Sequence, residues 1–123
     1  ERIKVKDFIE FFDQINNENL LEKIRKNSYI NNFINENFDK TLYHLSGGEF
    51  KFLYLILLLF TDKKLYLLDE PFNELDKEKA KYIANLIKDL NKNGKKIIIT
   101  NHYDLGLFEE KDMKKIRLLD HTV

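Results

Sequence analysis

The chain has 123 residues, 43% of them hydrophobic, which is enough apolar content for one domain-sized core. Its 21 basic and 21 acidic residues cancel, so the charge balance gives neither a nucleic-acid footprint nor a polybasic membrane anchor. The absence of cysteine excludes disulfides, thiolate metal sites and a cysteine nucleophile, and the longest apolar block, Phe50 to Phe60, is too short to span a bilayer.

No leader pattern opens the chain, and Glu1 in place of Met is expected to mark a cut or processed segment. Val5, Phe8, Ile9 and Phe12 fall at helical spacing, with Ile15 continuing the face. Leu20, Leu21 and Ile24 make a second short amphipathic piece, and Ile30, Phe33 and Ile34 a third. The first forty or so residues therefore predict a small helical subdomain with a polar surface. No heptad is sustained, which argues against a coiled coil.

Leu45-Ser46-Gly47-Gly48-Glu49 comes next, and Ser46 with Glu49 three residues on fits a capping box. The helix that follows is apolar nearly all round and is expected to be buried. After a turn at Thr61 to Lys64, the run Leu65-Tyr66-Leu67-Leu68-Asp69-Glu70-Pro71 reads as a strand buried on both faces. Pro71 cannot donate to a ladder, so the strand stops near Glu70 and leaves two carboxylates at its carboxyl end. In open α/β sheets ligands bind at that edge. One carboxylate there suits Mg²⁺, and its neighbour, expected on the opposite side of the strand, is free to act on water.

Asp76 is placed to cap a helix whose apolar face is Ala80, Ile83, Ala84, Ile87 and Leu90, with Gly94 ending it in a left-handed conformation. Ile97-Ile98-Ile99-Thr100 are then expected to form a second buried strand. Strand, helix and strand make a βαβ unit with a parallel pairing and a right-handed crossover. Asn101 and His102 fall on the same edge as Asp69 and Glu70. A short helix around Leu105 to Glu110 and a last strand, Lys115 to Leu119, complete the prediction.

Each part has a simpler reading when taken alone. Ser46-Gly47-Gly48 at a helix start offers free N–H groups and a positive dipole end to a phosphate, but it is also what a turn and a cap look like. A strand that runs into Asp-Glu can simply end in a polar turn. A histidine after a strand is commonly a surface residue.

Combination and order are more specific. LSGGE at 45–49 resembles the signature of ATP-binding-cassette (ABC) ATPases, LYLLDE at 65–70 their Walker B strand, Asn73-Glu74-Leu75-Asp76 their D-loop, and Ile97 to His102 their switch-histidine strand. The opening Ile3 to Phe8 resembles the segment after the family's Q-loop. The resemblance implies an α/β fold: a partial P-loop NTPase-type parallel sheet with flanking helices, preceded by the helical subdomain. Residues 1–44 would be that subdomain and residues 45–123 the signature helix and C-terminal part of the ATPase core, one truncated domain overall.

It also implies ATP and Mg²⁺ as cofactors. Asp69 would support Mg²⁺, Glu70 would orient or deprotonate the attacking water, and His102 would contact the γ-phosphate. Ser46, Gly47, Gly48 and Glu49 would serve the nucleotide of an opposite protomer, and Asp76 would couple the two sites. The implied partners are a second ABC protomer and transmembrane permease subunits, with no nucleic acid. The implied location is the cytoplasmic face of the membrane. The stretches 69–72 and 75–77 resemble haem-exporter-type ATPases of cytochrome c maturation. A non-transport ABC ATPase acting on DNA or ribosomes, and a degenerate cassette supplying only the signature in trans, are the competing functions.

Two family positions depart from the pattern. Phe52 stands where a basic residue is frequent, and Tyr103 where an acidic one follows the histidine. The phosphate loop GxxxxGK[ST] is not among these residues, since none of the 4 glycines lies in that pattern. That half of the domain is expected to precede Glu1 on the parent polypeptide. The segment alone is expected to bind ATP poorly and hydrolyse almost none, and to expose an apolar sheet edge.

Overall fold

A computed structural model describes residues 2–101, 106–109 and 111. Three helices open the chain: α1 (Val5–Asn16), α2 (Leu20–Arg25) and α3 (Ser28–Asn37). Asn19 and Asn27 cap the second and third, accepting from the Glu22 and Ile30 amides at 3.3 and 3.2 Å. Val5 and Ile9 are buried on α1, but Ile15 is 64% exposed and does not continue the face. It lies about 80° round the helix from Val5, at the flank of the apolar stripe.

A short 3-10 turn, Leu42–His44, leads into α4 (Gly47–Phe60), followed by β1 (Leu65–Asp69), α5 (Lys77–Lys92) and β2 (Lys96–Thr100). The capping box forms as expected. Ser46 Oγ accepts from the Glu49 amide at 3.0 Å, and the Ser46 amide donates to Glu49 Oε1 at 2.8 Å. Asp76 caps α5, and Gly94 ends it at φ +87°. β1 and β2 pair in parallel with Asp69 opposite Thr100, as a βαβ unit requires.

α2 packs against α1, α3 and α4, and α4 against α5. The buried side chains form one cluster running from Val5 on α1 to Ile87 on α5. Phe52 of α4 is fully buried at its centre. Its ring meets Phe33 edge-on at 5.0 Å and lies near Tyr29 and Tyr82, with Lys79 Nζ 5.7 Å from its centroid. This explains the departure from a basic residue there. The position joins three helices, and a charge would be stranded in an apolar, aromatic environment.

The strands differ from expectation on one point. Tyr66 and Leu68 are buried, but Leu65 is 49%, Leu67 67% and Ile98 56% exposed. α5 packs on the sheet, and none of the described residues covers the opposite face. An uninterrupted apolar run identifies the strand but cannot say which face this stretch of chain covers by itself. Among the described residues the unpartnered surface is thus a sheet face as well as an edge. Gly106 to Glu109 carry no helix, while Leu105, Glu110 and the predicted strand 115–119 lie outside the described residues. No helix among the described residues is long and apolar enough to cross a membrane.

Candidate functional site

Two clusters of polar side chains are built at the ends of these elements. The first lies at the carboxyl end of the sheet. Asp69 is the last residue of β1 and is exposed. Thr100, its partner in the register, donates its hydroxyl proton to Asp69 Oδ1. Glu70 follows at φ +44°, a left-handed conformation rare for a residue with a side chain. Strand alternation therefore no longer sets its direction, contrary to the expectation of two carboxylates on opposite sides of one strand.

A set of hydrogen bonds fixes that turn. The Glu70 amide donates to the Thr100 carbonyl at 2.9 Å and to its hydroxyl at 3.2 Å. Lys51 Nζ, reaching across from α4, donates to the Glu70 carbonyl at 3.1 Å. Asn73 Nδ2 donates to Glu70 Oε2 at 2.5 Å, so the carboxylate is held rather than free.

The second cluster surrounds the start of α4. Ser46, Gly48, Glu49, Glu74, Asp76 and Lys79 line an open groove of about 540 Å³. Gly48 is needed here for close approach of the loop backbone, while Gly47 faces only the tip of a flexible side chain. A Cβ on Gly48 would lie 2.5 Å from the Glu74 carbonyl oxygen, and one on Gly47 would lie 2.4 Å from Glu74 Oε2. Glu74 itself sits at φ +70°, so the loop between β1 and α5 is folded tightly over the helix start. The Ser46 amide holds the Glu49 carboxyl below its ordinary range, against the opposing effect of burial. The Lys79 amide and then its ammonium do the same for Asp76, which they contact at 2.8 and 3.1 Å.

The structure therefore brings Asp69 together with Glu70, and Ser46, Gly47, Gly48 and Glu49 together with Asp76. His102 lies outside the described residues. Thr100 and Lys51 were given no site role by the sequence, and Asn73 and Glu74 were named only as part of the D-loop-like stretch. Thr100 carried a weak signal, a lone hydroxyl at the end of a run of isoleucines. The others join the clusters through a turn and an inter-element contact that spacing does not encode.

No group of three or more histidines, cysteines and carboxylates that could cage a metal exists among the described residues. The donor set still fits Mg²⁺, which keeps its waters and is commonly held by one carboxylate together with nucleotide phosphates. Asp69, exposed and with one oxygen engaged by a hydroxyl, is such a carboxylate.

Comparison with known proteins identifies the family. Residues 2–105 match the family described as "AAA domain, putative AbiEii toxin, Type IV TA system". The cytochrome c biogenesis ATP-binding export protein CcmA of Shewanella sp. (strain MR-4) is 36% identical over 75 residues, 61% of this chain and 35% of that protein. The energy-coupling factor transporter ATP-binding protein EcfA of Methanosphaera stadtmanae is 38% identical over 82 residues, 67% of this chain and 27% of that protein. The chain thus spans about a third or less of the length of these curated relatives. Among solved structures, a chain in the complex of archaeal ribosomal stalk protein aP1 and archaeal ribosome recycling factor aABCE1 is similar. Its TM-score is 0.56 at 27% identity, over 80% of this chain and 19% of that one. With a family match across most of its length and ABC-type relatives, the chain belongs to this AAA-domain family and is part of an ABC ATPase nucleotide-binding domain.

Proposed function

We propose that the chain is the signature-bearing and carboxylate-bearing part of an ATP-hydrolysing subunit that drives an ABC transporter. The observation that carries the reading is the strand-end turn, where Asp69 and a strained Glu70 are fixed by Thr100, Asn73 and Lys51. Strain of this kind persists where the surroundings over-determine it, and it clusters at functional sites. Lys51 belongs to the helix that begins at Ser46, so one rigid element connects the two clusters.

In this reading Asp69 would hold the Mg²⁺ that accompanies ATP, which when bound would supply charge neutralisation at the phosphates. Glu70 aligns the attacking water and takes its proton. His102 contacts the γ-phosphate. Ser46, Gly47 and Gly48 present the amide end of α4 to the nucleotide of a partner protomer, Glu49 keeps that end capped, and Asp76 couples the two sites. Phosphoryl transfer of this type is chiefly positioning and charge stabilisation, so the parts act only together. The phosphate loop must come from outside these 123 residues, and without it nucleotide binding is weak.

Dimer partners and permease subunits, with a location at the inner face of the membrane, belong to this reading, and likeness to transporter ATP-binding proteins supports it. Likeness to CcmA favours a haem-exporter type. The structural likeness to a ribosome recycling factor complex supports a second reading, a non-transport ABC ATPase working on ribosomes.

Complementation in the complete protein tests the composite site. Ser46→Arg and Asp69→Asn are each expected to abolish ATP turnover alone. Mixed, they restore part of it, because one site of the heterodimer is then intact. A mixture as inactive as its components would place the signature and the carboxylates of one and the same protomer on a single nucleotide and contradict the reading. Stimulation of wild-type turnover by permease-containing vesicles supports transport, and stimulation by ribosomes instead supports the second reading.

A further inference from the structure

We infer that Thr100 is a positioning residue for the strand-end carboxylates, its hydroxyl setting Asp69 for a divalent cation and bracing the Glu70 turn. This rests on the proposed role of Asp69.

A threonine hydroxyl has one proton to give and lone pairs to accept with. Here the proton goes to Asp69 Oδ1, and the oxygen accepts from the Glu70 amide at 3.2 Å. One side chain on β2 thereby ties both acidic residues at the end of β1, Asp69 and the Glu70 that follows it. The register makes this possible, since Thr100 is directly opposite Asp69. On the same sheet face the preceding pair is Leu67 and Ile98, both more than half exposed and apolar. Lys96 begins that face at the far end of the strand, so the hydroxyl is the polar anchor at the carboxyl end of β2.

Strand formation does not need it. Ile97, Ile98 and Ile99 fill β2 with β-branched residues, and valine at 100 would serve the strand equally well. What valine cannot do is hold a carboxylate. Tying one oxygen of Asp69 fixes its rotamer, and among the described residues its other oxygen receives no hydrogen bond. Ligating carboxylates are characteristically fixed by such outer partners, which orient them and tune the metal.

Mn²⁺ binding to the complete protein with ADP, followed by electron paramagnetic resonance, tests the inference. Thr100→Val keeps side-chain volume and removes the hydroxyl; Thr100→Ser keeps the hydroxyl. Thr100→Val is expected to weaken Mn²⁺ binding by about tenfold or more, and Thr100→Ser by no more than about twofold. In metal-free protein the Asp69 carboxyl ¹³C resonance should move in Thr100→Val and stay in Thr100→Ser. Wild-type Mn²⁺ affinity in Thr100→Val, together with loss of binding in Asp69→Asn, overturns the inference alone. Unaltered binding in Asp69→Asn overturns the metal role of Asp69 and the inference with it. Equal weakening by the serine and valine variants shows that packing, not the hydroxyl, is what Thr100 supplies, and also overturns it.

Discussion

At the scale of single residues, the two signature glycines do different work. The Gly48 position faces the backbone carbonyl of Glu74, which cannot retreat without moving the loop. The Gly47 position faces only the end of the flexible Glu74 side chain. Gly48→Ala is therefore expected to destabilise the fold by about 1–3 kcal/mol through overpacking. Gly47→Ala should fall within about 1 kcal/mol of wild type, because Glu74 swings away and alanine favours the helix. Urea melts of the two variants check the order, and equal losses would contradict it.

The caps carry a pH dependence at the same scale. Glu49 and Asp76 both have carboxyls pulled below their ordinary value. Such groups contribute stability that is complete above the unfolded value of about 4 and is lost as pH falls through the lower folded values. Replacing both with Glu49→Gln and Asp76→Asn keeps the hydrogen bonds available but removes the titration. Thermal melts between neutral and acid pH should show a shallower acid loss for the double variant, and an unchanged slope would show that the caps do not carry it.

At the scale of elements, much was readable because it is local. Ser46 with Glu49 and Asp76 with its amphipathic helix are relations within one turn, so spacing alone reports them. The Asp69–Thr100 bond joins residues thirty-one positions apart through the strand register, which no local pattern contains. The exposed face of β1 was illegible for a related reason. Leu65 and Leu67 are as apolar as Leu68, and only the packing of α5 decides which face is covered. Phe52 shows element-scale cooperation most directly, since its ring touches residues from α3 and α5. Phe52→Ala should cost about 3–5 kcal/mol, measured by chemical denaturation. A loss below about 1 kcal/mol would mean that the helices do not depend on this aromatic junction.

For the molecule as a whole, the uncovered apolar face and the proposed nucleotide site have one common implication. Leu65, Leu67 and Ile98 present an exposed apolar surface, and the GxxxxGK[ST] loop that the proposed site needs is not among these 123 residues. In the isolated 123 residues, Leu67→Lys with Ile98→Lys should leave stability within about 0.5 kcal/mol per site, as exposed positions allow. The same pair should reduce self-association in sedimentation experiments. Unchanged association would move the sticky surface elsewhere.

The central claim is that Glu70 serves ATP hydrolysis only when the phosphate-binding half is present. ATP turnover measured side by side, for the 123-residue chain and for its complete parent domain, each with and without Glu70→Gln, tests it most directly. Expected is negligible turnover from the chain and turnover from the complete domain that Glu70→Gln abolishes. ATP hydrolysis by the 123 residues that vanishes with Glu70→Gln, or turnover by the complete domain that survives that substitution, would contradict it.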